Sequence, residues 1–190
     1  MTKIRNHEST QSLEIIEAML QESKKSLHRN SFYFLLWGSL MVPTGIAESL
    51  MAGTNNFWLI WPIMGIVGGI ISSIYGKKEG KRAGASTSGD RIIGYTWGAF
   101  GMSLIIGIVY SIHLHVPPHT IVLMLAGMAT FISGGISQFK PFVYGGIALE
   151  LGAIACAFFV PFEFQGYVSA LSLTVGYVIP GFILRQSENG

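Results

Sequence analysis

The chain has 190 residues, half of them hydrophobic and only 12% charged, with 24 glycines and a mean hydropathy of +0.50. A soluble domain carries about a quarter charged residues, so this composition excludes an ordinary soluble fold. The net charge of +2 averages a basic rim with a neutral body and marks no nucleic-acid surface, while a single cysteine, Cys156, excludes an intramolecular disulfide and a multi-cysteine zinc site.

The first element is polar. Residues 1–30 lack the apolar run of a cleavable signal peptide, so the first span is expected to act as an uncleaved insertion signal. Within this segment, 10–28 reads as an amphipathic helix. Leu13, Ile15, Ile16, Met19, Leu20 and Leu27 share one arc, and Glu14, Glu17, Gln21, Glu22, Lys24 and Lys25 fill most of the other. Ser9 or Thr10 can cap it. Its polar face is mixed rather than basic, unlike helices that bind anionic lipid. That predicts docking on the cytoplasmic side of the bundle or on a protein partner, against the plainer reading of a helix lying in the membrane interface.

A spanning helix needs about 20 mostly apolar residues, and six stretches qualify, at about 32–51, 57–76, 92–112, 120–137, 142–160 and 166–184. The predicted fold is all-α: a polytopic membrane protein with six transmembrane helices in three hairpins over 31–185, a cytoplasmic amphipathic segment at 1–30 and a tail at 186–190. Lys3, Arg5, Lys24, Lys25 and Arg29 precede the first span, and Lys77, Lys78, Lys81, Arg82 and Arg91 lie between the second and third. Lys140 falls between the fourth and fifth, and Arg185 follows the sixth. The loops AGTNN, HLHVPPH and PFEFQ carry no Lys or Arg. The positive-inside rule then places both termini in the cytoplasm. Trp58, Trp61, Phe159, Phe162, Tyr75 and Tyr110 sit where interfacial anchors belong. The segments Trp37-Gly38-Ser39, Trp97-Gly98-Ala99 and Tyr144-Gly145-Gly146 echo one another, which fits either a duplicated hairpin or chance in a glycine-rich chain.

Small residues recur at helical spacing. Gly65, Gly69, Ser72 and Gly76 share one face of the second span, and Gly94, Gly98 and Gly101 one face of the third. Ala126, Ala129, Ser133 and Ser137 mark the fourth, and Ser169, Gly176 and Pro180 the sixth. Such faces let helix backbones approach closely in lipid. Intrachain packing is the expected use; a seam between two copies of the chain is the other.

Two acids fall inside spans. Glu150 is near the middle of the fifth, on the face of Gly146, Ala153 and Ala157, and is expected to point inward. Glu48 is about one turn from the outer end of the first. No Lys or Arg shares their depth, so each is read as a proton or cation site or as a neutral acid bonded to Tyr, Ser or backbone. Glu48 has the further option of snorkelling to water. His113, His115 and His119 crowd the HLHVPPH loop, where they could hold zinc or copper with Glu163 or Glu48, form a pH-sensitive loop, or serve as interfacial polar groups. No other cofactor is suggested.

The segments SLEIIEAMLQESKKSL, NSFYFLLWGSLMVPTGIAES and FWLIWPIMGIVGGIISSIYG resemble a group of uncharacterised small bacterial multi-pass inner-membrane proteins, which have an amphipathic N-terminal helix ahead of an LWG-containing first span. The likeness covers roughly residues 12–76. It implies the bacterial cytoplasmic membrane and carries over no site residues. HExxH, GxSxG and P-loop motifs are absent, and Asp90 is the only aspartate, so no intramembrane aspartate pair exists. The function expected is a non-catalytic regulatory, sensory or assembly component of the membrane. The alternative is a small carrier or channel that uses Glu150.

Overall fold

The computed structural model describes residues 31–51, 60–80, 88–114 and 118–186, and every regular element among them is helical. In chain order these are α1 (31–50), α2 (Ile60–Gly80), α3 (Ser88–Leu114), α4 (His119–Ile136), α5 (Lys140–Phe158), α6 (Phe162–Leu173), a π-helical turn (Thr174–Val178) and α7 (Ile179–Gln186). The last three form one continuous rod, Phe162–Gln186. Five helices, α2, α3, α4, α5 and that rod, are long and apolar enough to cross a membrane. Helix α1 is comparably long but more polar, because Ser39, Thr44, Glu48 and Ser49 interrupt its apolar run. The expected amphipathic helix at 10–28 lies outside the described residues.

Consecutive helices run antiparallel. Along α1 and α2, Phe32 stacks on Tyr75 with ring centroids 3.7 Å apart, and Trp37 and Leu40 close on Gly68 further along. Gly107 meets Ile121 and Trp97 Nε1 donates to Ser133 Oγ at 3.1 Å, which pairs α3 with α4. Helices α4 and α5 approach backbone to backbone at Gly134–Phe142 and Gly146–Phe131, and α5 meets the rod at Gly145–Gly176 and Gly152–Ser172. Helix α1 returns along the rod through Gly38–Val178 and Gly45–Gly166. The core cluster runs through Phe34, Leu123, Phe142, Leu149, Leu173 and Tyr177, so α1, α4, α5 and the rod form its centre.

The helices overrun the expected spans where local chemistry permits. Lys77 and Lys78 belong to the last turns of α2, where cations suit the helix dipole, and Asp90 lies in the first turn of α3. The expected PFEFQ loop is mostly helix: Pro161 caps α6, Phe164 N–H donates to the Pro161 carbonyl at 3.0 Å, and Glu163 occupies the first turn. Between α4 and α5, Gln138 adopts φ 52 while Phe139 N–H reaches back to the Gly134 carbonyl at 3.0 Å. This is a left-handed helix stop of the kind glycine usually fills. The π turn has a local cause as well. Pro180 has no N–H for the Gly176 carbonyl, and Ile179 N–H instead bonds the carbonyl of Thr174, five residues back.

The glycine faces divide in a way the spacing did not predict. Ala126, Ala129 and Ser133 of α4, and Ser169, Gly176 and Pro180 of the rod, are buried as expected. A Cβ built at Gly65, Gly69, Gly94, Gly98 or Gly101 meets nothing within 4 Å. Those glycines of α2 and α3 therefore make no close helix approach among the described residues, which corrects the expected intrachain packing. The echoed dipeptides also differ in environment: Gly38 and Gly145 are tightly packed, whereas Gly98 is open. The outer surfaces of α2 and α3 are rich in Ile and Val, a surface suited to hydrocarbon.

Candidate functional site

The antiparallel order brings every described Lys and Arg, including Lys77, Lys78, Arg91, Lys140 and Arg185, to one end of the bundle. At the opposite end, buried polar side chains converge. Backbone approach sets up this cluster. Gly45 of α1 and Gly166 of α6 sit so close that a Cβ on either would meet the other's carbonyl. The Ser49 hydroxyl accepts the Tyr167 N–H at 3.2 Å. This crossing presses Glu48 against α6, where its Oε2 lies 3.0 Å from the position of a Gly166 Cβ.

Across the cluster stands His119, the first residue of α4, directed inward behind Pro118 at the N-cap. Its Nε2 lies 3.2 Å from Glu48 Oε1 and 3.1 Å from Oε2. Its Nδ1 lies 3.0 Å from Ser169 Oγ on α6. Facing a carboxylate, Nε2 carries the hydrogen and donates it, so in the neutral ring Nδ1 accepts the Ser169 O–H. A single N–H directed at Oε1 leaves Oε2 in charge contact but without a hydrogen bond of its own. Cys156 of α5 extends the chain by meeting the Ser169 hydroxyl. Exposure is 6% for Glu48, 2% for His119 and 1% for Ser169, so the group is enclosed by protein. Trp61 stands edge-on to the imidazole at 5.5 Å and Phe162 lies at 6.4 Å.

Gln165 supports this wall. Its Nε2 donates to the carbonyls of Cys156 at 3.0 Å and Val160 at 3.1 Å, satisfying the C-terminal end of α5. Sequence reading assigned it to a loop and gave it no role. Trp61 likewise packs inward on His119 rather than serving as an interfacial anchor. Phe158 and Phe159 remain 77% and 78% exposed at the end of α5.

The expected site residues are redistributed. Glu48 does not snorkel; its position against Gly166 buries it, and His119 is the partner it lacked in the sequence reading. Of the three histidines, the two described ones do not converge. His113 is exposed on the last turn of α3, His115 lies outside the described residues, and His119 is turned into the bundle. Among the described residues no three His, Cys, Asp or Glu side chains are placed to hold a metal. Glu163 is exposed at the start of α6.

Glu150 is half-buried rather than interior, and Ala157 on its face is exposed. Its carboxylate lies over α4, with Oε1 only 2.8 Å from where a Gly127 Cβ would stand, and the Met128 backbone is its polar neighbour. Gly146, one turn away, presses on the backbone of Phe131. Gly127 thus makes room for the carboxylate, and Gly146 for the Phe131 backbone, in the α4–α5 seam. Oε1 has no hydrogen-bond partner there.

The two acids differ in what they can do. Glu48, His119 and Ser169 form a continuous chain of carboxyl, imidazole and hydroxyl groups spanning α1, α4 and α6. Glu150 has no such chain and occupies a helix seam. Compared with protein families, curated proteins and solved structures, the chain matches none.

Proposed function

We propose that this chain is a non-catalytic, multi-pass component of the bacterial cytoplasmic membrane, regulatory, sensory or assembling in role, with both termini in the cytoplasm. The observation carrying this reading is the setting of Glu150. The midspan acid packs its carboxylate against Gly127 in the close α4–α5 contact, as a packing residue does, rather than joining converging polar side chains as a transport site requires. The orientation rests on the Lys and Arg end of the bundle, and the bacterial placement on the resemblance of residues 12–76. Residues 10–28 supply the surface for a membrane or cytoplasmic protein partner, and the open glycines of α2 and α3 suit a homo-oligomer.

The alternative, a small carrier or channel, is favoured by one feature: Glu150 Oε1 lacks a hydrogen-bond partner, as an exchangeable proton or cation site would. Two substitutions separate the readings. Under the regulatory reading Glu150→Gln folds normally and changes nothing, and Glu150→Leu lowers thermal stability because the larger apolar group is forced against Gly127. Under the carrier reading Glu150→Gln removes pH-dependent flux in proteoliposomes. Flux that is present in the parent and lost in the Gln variant would replace the first reading with the second.

A further inference from the structure

We propose that Glu48, His119 and Ser169 form a proton-binding site at the Lys- and Arg-poor end of the bundle, with the proton itself as ligand and α1, α4 and α6 as the elements it ties together. The inference stands independently of whether the chain regulates or transports.

Three features of the geometry carry it. The first is the unbroken hydrogen-bonded chain. Ser169 O–H donates to Nδ1 at 3.0 Å, and Nε2–H donates to Oε1 at 3.2 Å. The second is Oε2, buried and 3.1 Å from Nε2 yet without a hydrogen bond of its own, so the carboxylate has an oxygen free to take a proton. The third is position. Glu48 is within one turn of the end of α1 and His119 is the first residue of α4, roughly 5 Å or less of helix rise from their ends. A proton has a short path to this group, while Trp61 and Phe162 flank it against larger ligands.

Proton arrival must rearrange the chain. With the carboxylate and a neutral ring, an added proton goes to Nδ1 or to Oε2. On Nδ1 it reverses the bond to Ser169, which then accepts, and whose own hydrogen must turn to another acceptor. The backbone carbonyl one turn earlier in α6 is such an acceptor, as Thr130 shows with Ala126 at 2.7 Å and Thr174 with Ala170 at 2.7 Å. On Oε2 it cancels the charge that draws the imidazole to α1. Either event alters the attraction between α1 on one side and α4 and α6 on the other. The groups facing the pair are Trp61 from α2, Cys156 through Ser169 from α5, and Phe162 from α6. Of these only the thiol titrates, and the described Lys and Arg are all at the other end.

Trp61 provides a native reporter, because an imidazolium quenches an adjacent indole more than a neutral ring does. The full chain in lipid nanodiscs is titrated across the range in which carboxyls and imidazoles ordinarily ionise. The Trp61 signal is taken as the difference from Trp61→Phe. The expected result is a loss of Trp61 emission on acidification that is absent from His119→Gln. That variant keeps an N–H for Glu48 and a carbonyl for Ser169 but cannot titrate. A proton on Oε2 instead gives a carboxylic-acid band in infrared difference spectra that Glu48→Gln removes, and the proposal is overturned if neither this band nor a His119-dependent loss of emission appears. If the variant does not fold, nitrogen NMR of histidine-labelled parent protein decides. A His119 ring that gains its second proton over that range upholds the site, and one whose charge state never changes, with no Glu48 carboxylic-acid band either, rejects it.

Discussion

Glu48 and His119 are separated by 71 residues in the chain and by 3.2 Å in the fold, and the bond between them ties the end of α1 to the beginning of α4. A carboxylate and an imidazole enclosed in an apolar bundle lose hydration, which their mutual attraction and the Ser169 hydrogen bond offset. Removing one partner leaves the other buried and unpaired.

The first prediction concerns this asymmetry. Glu48→Ala and His119→Ala should each destabilise the folded protein by about 3–5 kcal/mol, and the double substitution by clearly less than the sum. Equilibrium unfolding in mixed detergent measures all three. Additive losses would mean that the two side chains do not interact in the membrane-embedded protein.

Glycine contacts give a second, directional test. A methyl group at Gly166 falls on the Gly45 carbonyl and within 2.6 Å of Ser49 Oγ, whereas at Gly65, Gly69, Gly94 or Gly98 it meets nothing within 4 Å. Gly166→Ala should therefore cost about 1–3 kcal/mol through forced backbone separation. The four outward alanines should be neutral or stabilising by up to about 1 kcal/mol each, from helix propensity. A large loss at the outward sites, measured in the same unfolding assay, would show that another surface covers them.

The helical class and five of the six expected spans were legible because long apolar runs leave little choice of structure in lipid. Their ends were not, since helices continue into polar residues such as Lys77, Lys78 and Asp90 that the dipole tolerates. The small-residue stripes were visible at the correct spacing, but spacing fixes only which residues share a face. Which neighbour that face meets depends on tertiary arrangement, and so α4 and the rod turned theirs inward, while α2 meets a neighbour only at the Gly76 end, against Tyr33, and α3 leaves Gly94, Gly98 and Gly101 open. The sequence links Glu48 to His119 only through the metal reading of the HLHVPPH loop; their direct pairing depends on His119 turning away from that loop into the bundle. One signal was available. Alternating topology places the end of the first span and the start of the fourth at the same level, where an imidazole is the natural counterpart of an acid. Gln165 carried no such signal, since capping the end of α5 depends on a turn geometry that the sequence does not specify.

A third prediction uses the α4–α5 turn. Gln138 holds φ 52, a conformation that costs a residue with a Cβ roughly 1–2 kcal/mol, and the helix stop itself is made by backbone bonds from Phe139 to Gly134 and from Gln138 to Gly135. Gln138→Gly relieves the strain and keeps those bonds, at the expense of greater freedom in the unfolded chain. The net gain should be about 1 kcal/mol or less, seen as a raised thermal midpoint. Gln138→Val, β-branched at the same φ, should lower it.

The last prediction fixes orientation. Lys77 and Lys78 close α2, Arg91 opens α3, Lys140 opens α5 and Arg185 lies in the last turn of α7, so the described cations share one end of the bundle. Translocating such a cluster is disfavoured, and membrane proteins retain it on the cytoplasmic side. The His119 end then faces outward. In a Cys156→Ala background, Thr54→Cys and Val116→Cys should react with an impermeant thiol reagent on intact cells, and Ser86→Cys should react only after permeabilisation. Labelling of Ser86→Cys in intact cells, with protection at Thr54→Cys and Val116→Cys, would invert the molecule and place the Glu48–His119 pair on the cytoplasmic side.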